Sequence, residues 1–501
     1  MSAAGKTGIN FTSNMVFYIA RLIIGILAMP ICLHAFGDEA YGLYLLGFGL
    51  SSSLTVFDFG AAKSVFRYTI EYAEDKDIEK YSSALSGAWS LNTVAAIVIG
   101  LVLILIGFWS DLLFHISEPL AGQSLTIFLL AGLNATLLTL NTAPQLLLQA
   151  RHYFHLRNSW QYVALLCNLI LLLCVAPTNM SLIAFSAWNC GISLIGLCID
   201  SYLVYRTRVI KPIPIVFTLR RSVASSFART SFLHAAISFL SVQADRLIIG
   251  SVLNVSAVTT YTIITKPYFL LRGLVTAGFP TFQPALSGAY LSGSAETYKD
   301  LSGRVIRTAL VVVVSLCGFI VAFFYPLLET WLHTTKYHPY VIWGMLSLLI
   351  VCITMLYTPH FRTLTNSARL KDILGLSVYM VPLNVVISIL LSKSLGFQGV
   401  IIGTLVQIIV ECIYIYILMR KEIIPLSDRS LLPIYVFASG LALFSYFLSK
   451  GMYNAHTLSA GVILPMLAYI VALSAIVLYT VRKEQPFRAS NKAVSGTWPQ
   501  V

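Results

Sequence analysis

The sequence has little charge for its length, and this scarcity excludes a soluble fold. Charged residues make up 11% of the 501 residues, whereas hydrophobic residues make up 57%. An ordinary soluble domain carries roughly 25% charged residues, which it needs to cover its core with a polar surface. The composition is instead that of a polytopic membrane protein.

Several kinds of functional site are also lacking. The eight cysteines include no CxxC pair and no Cys/His spacing suited to zinc. The sequence therefore predicts no metal and no cofactor. The predicted outer loops are short, and the histidines are not clustered with carboxylates. Both features argue against a membrane enzyme such as a polysaccharide polymerase or ligase, which remains the alternative from a different functional class.

Apolar windows of about 20 residues, the length that crosses the hydrocarbon of a bilayer, are abundant. They predict an all-α polytopic fold with about 14 transmembrane helices. The predicted spans are 14–36, 41–63, 84–109, 123–148, 159–177, 180–204, 230–252, 256–280, 305–327, 339–360, 373–391, 397–419, 431–449 and 456–481.

Basic residues set the predicted orientation. Lys and Arg number 33, against 20 Asp and Glu, and most of them precede the first span, follow even-numbered spans or lie in the tail. Because short cytoplasmic loops carry the Lys/Arg excess, both termini are predicted to be cytoplasmic. Because the basic residues fringe many helix ends, we expect membrane lipids as their neighbours and not nucleic acid.

The longest connector divides the chain nearly in half. Its arginines alternate with apolar residues, a mixture typical of a segment that lies on the inner leaflet. The predicted domains are an N-lobe of six spans (1–204), this basic cytoplasmic linker (205–229), a C-lobe of six spans (230–419), two further spans (420–481) and a cytoplasmic tail (482–501).

Ionised residues lie inside the predicted spans, where charge is costly and usually marks a binding or transport pathway. They are Arg21, Asp58, Asp200, Asp245, Arg246, Lys266, Arg272 and Glu411. At 1.5 Å per residue, Arg21 and Asp58 reach similar depths near the inner mouth. They can form a structural ion pair or a gate. Asp200 is close enough to the inner helix end to pair with Arg206.

The second half of the chain holds most of the remaining buried charge. Asp245 and Lys266 are predicted to approach each other in the outer half, while Arg246 points either into a cavity or outward to the headgroups. Pro267 is expected to kink the helix beside Lys266. Glu411 either exchanges a proton during a transport cycle or is a neutral acid hydrogen-bonded to a neighbouring helix.

The chain resembles the polysaccharide transporter family, the Wzx-type flippases of O-antigen and lipid-linked oligosaccharides. The residues that carry the resemblance are Arg21, Pro30, Phe36-Gly37, Tyr41-Gly42-Leu43-Tyr44, Asp58-Phe59-Gly60, Arg67, Asp245-Arg246-Leu247-Ile248-Ile249-Gly250 and Tyr261. The order of these residues, a length near 500 residues and the predicted spans together extend the resemblance over most of the chain.

The resemblance implies the two-lobed, MATE-like fold of the multidrug/oligosaccharidyl-lipid/polysaccharide (MOP) exporter superfamily. It implies a flippase of the inner membrane that moves undecaprenyl-pyrophosphate-linked repeat units outward by alternating access. The implied partners are this lipid-linked substrate, a coupling proton or sodium ion, and a complex with a polysaccharide polymerase and a chain-length regulator.

A pyrophosphate needs fixed cations, and arginine can bind it through two parallel hydrogen bonds. We therefore predict a cationic cavity formed by Arg21, Lys266 and Arg272, with Arg67 either at its entrance or anchoring a helix end. Gating or coupling is assigned to Asp58, Asp245, Arg246 and Glu411.

Two other exporters of the same superfamily remain as alternatives. A multidrug antiporter should have a mainly acidic cavity, whereas the charges inside these spans are divided equally between acids and bases. Three of the four basic residues lie in the seventh and eighth predicted spans, which favours an anionic substrate. A flippase of lipid-linked peptidoglycan precursors fits the same motifs.

Overall fold

The computed structural model describes residues 3–58, 61, 65, 78–150, 153–207, 236–237, 239–241, 243–279, 282–291, 295–365, 370–420, 432–452 and 460–484. These residues are helical almost throughout and form no β-strand. The all-α fold class is confirmed.

The helices are numbered here in chain order. They are α1 (Ala3–Leu54), α2 (Ile78–Phe108), α3 (Ser110–Phe114), α4 (Glu118–Ala150), α5 (Phe154–Val175), α6 (Leu182–Thr207), α7 (243–252), α8 (Val255–Ile264), α9 (Lys266–Gly278), α10 (Gln283–Leu291), α11 (Ala295–Leu332), α12 (Val341–Thr365), α13 (Leu370–Leu395), α14 (Phe397–Leu418), α15 (Leu432–Met452) and α16 (Ala460–Glu484).

Each predicted span overlaps at least one of these helices. Among the described residues, nine helices are long and apolar enough to cross a membrane, and three shorter apolar helices accompany them. The longest, α1, has 52 residues and bends at Gly37, where φ is 78°. Since about 20 helical residues cross the hydrocarbon, α1 supplies the first two predicted spans, with the bend between them.

The second predicted span ends earlier as an α-helix than the sequence indicates. Regular helix stops at Leu54 and continues as a 3₁₀ turn, Thr55–Phe57, before Asp58. Hydroxyls compete with the backbone here, because Ser52 Oγ donates to the Gly49 carbonyl (3.0 Å) and Thr55 Oγ1 to the Ser52 carbonyl (2.8 Å). Asp58 therefore lies beyond a helix end and not inside the predicted helix.

The eighth predicted span is broken into two helices, as the proline indicates. Helix α8 ends at Ile264, and α9 begins at Lys266 with Pro267 in its first turn. Proline suits this position because its missing N–H would have no partner inside the helix. Lys266 thus lies at a helix start in the middle of an apolar span.

The chain forms two compact units, Met1–Thr259 and Thr260–Val501. The described part of the first unit includes α1 to α7, and the second includes α9 to α16. Much of the predicted linker lies outside the described residues, so the predicted domain boundaries stay predictions.

Small residues allow close helix contact in the first unit. A Cβ added to Gly100 on α2 would overlap the Thr136 hydroxyl on α4, and one added to Gly132 would lie 2.8 Å from the Gly100 carbonyl oxygen. Without a hydrophobic driving force between helices in lipid, such close backbone packing contributes much of the stability of a membrane bundle.

A buried amide joins three helices of the same unit. Asn134 on α4 donates from Nδ2 to Ser51 Oγ on α1 (3.0 Å), and its Oδ1 accepts a hydrogen bond from Ser193 Oγ on α6 (2.7 Å). Asn134 is 6% exposed, so both partners would be left without a protein replacement if the amide were removed. The amide therefore fixes α4 between α1 and α6.

Replacing Asn134 by alanine is expected to destabilise the first unit. Two hydrogen bonds are lost, each contributing roughly 0.5–1.5 kcal/mol in a protein interior or bilayer. Thermal unfolding of the purified protein in detergent should show a lower Tm. Asn168→Ala is the matched control, because Asn168 donates only to the Ala164 carbonyl of its own helix. Equal Tm values for the two variants would contradict the role assigned to Asn134.

The second unit has its own apolar core. Tyr298, Tyr357, Leu364 and Ile415 are among the buried residues of a cluster formed mainly by α10 to α14. Helices α13 and α14 approach so closely that a Cβ on Gly399 would overlap the backbone of Leu391. This packing fixes α12 and α14, the two helices that carry part of the site described next.

Candidate functional site

The best-defined charged cluster lies in the second unit, on helices α9, α12 and α14. It consists of Tyr268, Arg272, Tyr357, Gln407 and Glu411, and is called here the Glu411 cluster. The sequence indicates Arg272 and Glu411 as separate site residues, 139 positions apart, and gives no reason to associate them. The structure places both in the second unit, with Arg272 bonded to Tyr268 and Glu411 bonded to Tyr357 and Gln407.

Arg272 is held by its own helix. Its Nη1 donates to the hydroxyl of Tyr268, one turn earlier on α9, at 2.9 Å. Its guanidinium carbon also lies 6.0 Å from the centre of the Tyr268 ring. The Arg272 side chain is exposed, whereas Tyr268 is buried. A buried tyrosine thus orients an accessible cation.

Glu411 accepts hydrogen bonds at both carboxyl oxygens. Tyr357 on α12 donates to Oε2 (2.9 Å), and Gln407 on the preceding turn of α14 donates to Oε1 (2.7 Å). The predicted hydrogen bond from Glu411 to a neighbouring helix is thus present.

Lys266 and Arg272 share α9, with Lys266 at its start and half-buried. Because of the α8–α9 break, Lys266 begins a helix and does not lie in the middle of a continuous one. Both cations therefore belong to a short helix that begins within the membrane segment. Their joint contact with an anion stays a prediction.

A second polar cluster lies in the first unit, where α7 meets the second half of α1. Gln243 Nε2 donates to the Gly49 carbonyl (3.2 Å) and to the Ser53 hydroxyl. Arg246 packs on the same glycine, because a Cβ on Gly49 would lie 3.1 Å from Arg246 Nη1. Arg246 is therefore half-buried against α1, and sequence analysis missed its neighbour Gln243.

The other predicted site residues are less closely associated. Arg21 on α1 is exposed and Asp58 is half-buried, and their pairing stays a prediction. Asp245 lies half-buried on α7 in the first unit, and Lys266 lies in the second. Arg67 falls outside the described residues.

Asp200 has a partner that was not predicted. Its Oδ2 accepts a hydrogen bond from Gln145 Nε2 on α4 at 3.0 Å, and the Asp200 side chain is fully buried. This bond connects α6 to α4 in the first unit. The predicted helix-end role of Asp200 therefore involves an amide from another helix.

The chemistry available at the Glu411 cluster is anion exchange around one cation. Arg272 presents five N–H donors in a planar fork that matches phosphate oxygens, and its Nη1 donates to Tyr268. An incoming phosphate would compete with the negative charge of Glu411 for the same guanidinium. Tyr357 and Gln407 each donate to one carboxyl oxygen of Glu411.

No protein-family model matches the sequence, and no curated protein matches it either. Solved structures do match over almost the whole chain. The lipid II flippase MurJ in an inward closed conformation matches with a TM-score of 0.71 at 15% identity, covering 93% of this chain and 98% of MurJ.

Two further solved structures that the chain resembles are transporters of the MOP superfamily. An inward-facing multidrug resistance MATE family transporter has a TM-score of 0.60 at 13% identity, covering 84% of this chain and 95% of its own. A MOP superfamily transporter from Pyrococcus furiosus, described as having a binding pocket of reverse polarity, has a TM-score of 0.52 at 14% identity, covering 86% and 94%. The fold of this multi-pass membrane protein is therefore that of the MOP-superfamily transporters.

Proposed function

We propose that this chain is a flippase that moves undecaprenyl-pyrophosphate-linked oligosaccharide repeat units, of O-antigen or a related surface polysaccharide, from the inner to the outer leaflet of the cytoplasmic membrane. The observation that carries the proposal is Arg272, an accessible cation in a membrane helix, oriented by Tyr268. An arginine in this setting is suited to a diphosphate.

The cation is balanced by Glu411, which supplies a gating or coupling step. In the absence of substrate, we assign Arg272 as the cation that balances the Glu411 carboxylate. When the substrate diphosphate takes Arg272, the carboxylate becomes available to a proton or a sodium ion. We assign the exchange between these two arrangements as the chemical step of alternating access. Both termini are assigned to the cytoplasm.

Lys266 and Arg21 are proposed as further contacts for the substrate's phosphates, with Arg67 at the entrance. Asp58, Asp245 and Arg246 are proposed as gating groups. For Arg246, the support is its packing on Gly49, which couples α7 to α1. The complex with a polymerase and a chain-length regulator belongs to the same proposal.

The experiment is deletion of the gene, followed by analysis of surface polysaccharide and of lipid-linked repeat units on each leaflet. We expect the repeat unit to accumulate on the inner leaflet and the surface polysaccharide to disappear, with both restored by the wild-type gene. Unchanged surface polysaccharide without an accumulated intermediate, in a strain with no second flippase for it, would refute the proposal.

A peptidoglycan-precursor flippase is the second candidate, favoured by the TM-score of 0.71 with MurJ. Both candidates carry a sugar on a lipid diphosphate, so the Glu411 cluster serves either one. Depletion of a host's lipid II flippase separates them. Rescue of growth by this chain would favour the second candidate, whereas lysis despite normal membrane insertion would leave the oligosaccharide flippase.

A further inference from the structure

An apolar cavity of about 290 Å³ lies in the second unit and is lined in part by α9, the helix that carries Arg272. It is bounded by α9, by the first half of α11 and by Met355 of α12, and its lining includes Leu274, Phe279, Val312 and Leu316. Leu274 is 45% exposed and Leu316 is 40% exposed, so the cavity opens toward the surroundings of the helices. In a membrane, those surroundings are lipid chains.

The cavity meets Arg272 along α9. Leu271, Leu274 and Val275 flank Arg272 in sequence and line the cavity. Phe279 also lines it. Phe279 follows Arg272 by seven positions, and two helical residues at this spacing point within about 20° of the same direction. Arg272 is therefore at the rim.

We infer that this cavity binds a segment of the single hydrocarbon chain of a polyprenyl diphosphate whose phosphates bind Arg272. The inference rests on the proposed function and names the part of the substrate that this site takes. The volume is at the lower end of the roughly 300–1,000 Å³ of small-molecule sites, which fits one chain segment and not a whole lipid. A polyprenyl diphosphate has one chain below its phosphates, whereas a phospholipid has two.

The predicted orientation adds a consequence for loading. With a cytoplasmic N-terminus, α9 descends toward the inner leaflet and α11 ascends from it. The cavity residues on these helices, from Leu271 to Phe279 and from Val305 to Leu316, then lie in the inner half of the membrane. This is the leaflet from which the proposed substrate enters. The cavity thus holds the lipid chain while Arg272 holds the phosphates.

The chain segment gains little from the hydrophobic effect, because it leaves one apolar environment for another. Its contribution is shape selection beside a charged group. Filling the cavity should therefore reduce recognition of the polyprenyl chain while leaving the affinity of Arg272 for short-chain diphosphates nearly unchanged.

The experiment uses the full chain in nanodiscs and a photoactivatable, radiolabelled undecaprenyl diphosphate. In Ala309→Phe, a phenyl group enters the cavity; Leu349→Phe, at a half-exposed position on α12 outside the cavity, is the matched control. We expect Ala309→Phe to lower specific labelling about tenfold, a change equivalent to about 1.4 kcal/mol. Leu349→Phe should label as the wild type does, and mass spectrometry should place the wild-type adduct on α9 or α11.

Three outcomes would overturn the inference. They are equal labelling of both variants, an adduct outside α9, α11 and α12, or competition by phosphatidylglycerol that matches competition by unlabelled undecaprenyl diphosphate. Since Ala309→Phe could also impair folding, its Tm is measured, and the wild-type adduct position decides independently of any variant. Failure of the proposed function gives a different result: no labelling of the wild type that undecaprenyl diphosphate competes away.

Discussion

Replacing Arg272 by alanine is expected to lower the rate of lipid-linked oligosaccharide flipping by about 10- to 100-fold. A hydrogen bond to a charged group contributes roughly 1.5–3 kcal/mol, and each 1.4 kcal/mol is a factor of ten. The loss should be seen with purified protein in proteoliposomes, by the appearance of a fluorescent substrate in the leaflet opposite the one to which it was added.

The conservative variant Arg272→Lys separates charge from geometry. Lysine keeps the positive charge but lacks the planar fork, so an intermediate rate is expected. Lys393→Ala is the control for loss of a basic residue, because Lys393 is at the end of α13, away from the predicted site. Wild-type transport by Arg272→Ala would exclude Arg272 as the substrate's cationic anchor.

Replacing Glu411 by glutamine is expected to lower flipping about tenfold while the protein still inserts and folds. The substitution keeps the shape but removes the charge that balances Arg272. Tyr357 and Gln407 each donate to a carboxylate oxygen of Glu411, and one of these donors would then face the amide nitrogen, which is itself a donor. A donor that loses its acceptor in a buried site costs roughly 1–3 kcal/mol, which corresponds to a factor of about 5 to 100.

Tyr357→Phe is the matched control for Glu411→Gln. It removes one hydrogen bond to the carboxylate but leaves its charge, so transport should fall less than in Glu411→Gln. The flipping rate of all three proteins is measured with and without an imposed proton or sodium gradient. If Glu411→Gln keeps a gradient-dependent rate equal to that of the wild type, Glu411 is not the coupling group.

The sequence predicts most of the membrane fold, because about 20 apolar residues are needed for each crossing. It also locates the α8–α9 break, since Pro267 lacks the N–H that a continuous helix would use there. It does not indicate the 3₁₀ turn, Thr55–Phe57, inside the second predicted span. The hydroxyls of Ser52 and Thr55 bond to nearby carbonyls, and hydropathy does not measure that competition.

The candidate site was only partly accessible from sequence. Tyr268 and Gln407 each lie four residues before the charged residue they contact, so helical spacing could have indicated them. Tyr357 is 54 residues from Glu411 and could be associated with it only through tertiary structure. The same holds for Gln243, whose contact with Gly49 spans 194 residues.

The most direct test is transport by the purified chain alone. Proteoliposomes containing wild-type protein and an undecaprenyl-pyrophosphate-linked oligosaccharide on one leaflet are assayed for oligosaccharide that reaches the other leaflet. Lectin capture or enzymatic cleavage of the exposed sugar gives the readout, and Arg272→Ala is run in parallel. We predict translocation by the wild type and a loss of about 10- to 100-fold in the variant. No translocation by folded wild-type protein under either a proton or a sodium gradient would contradict the assignment.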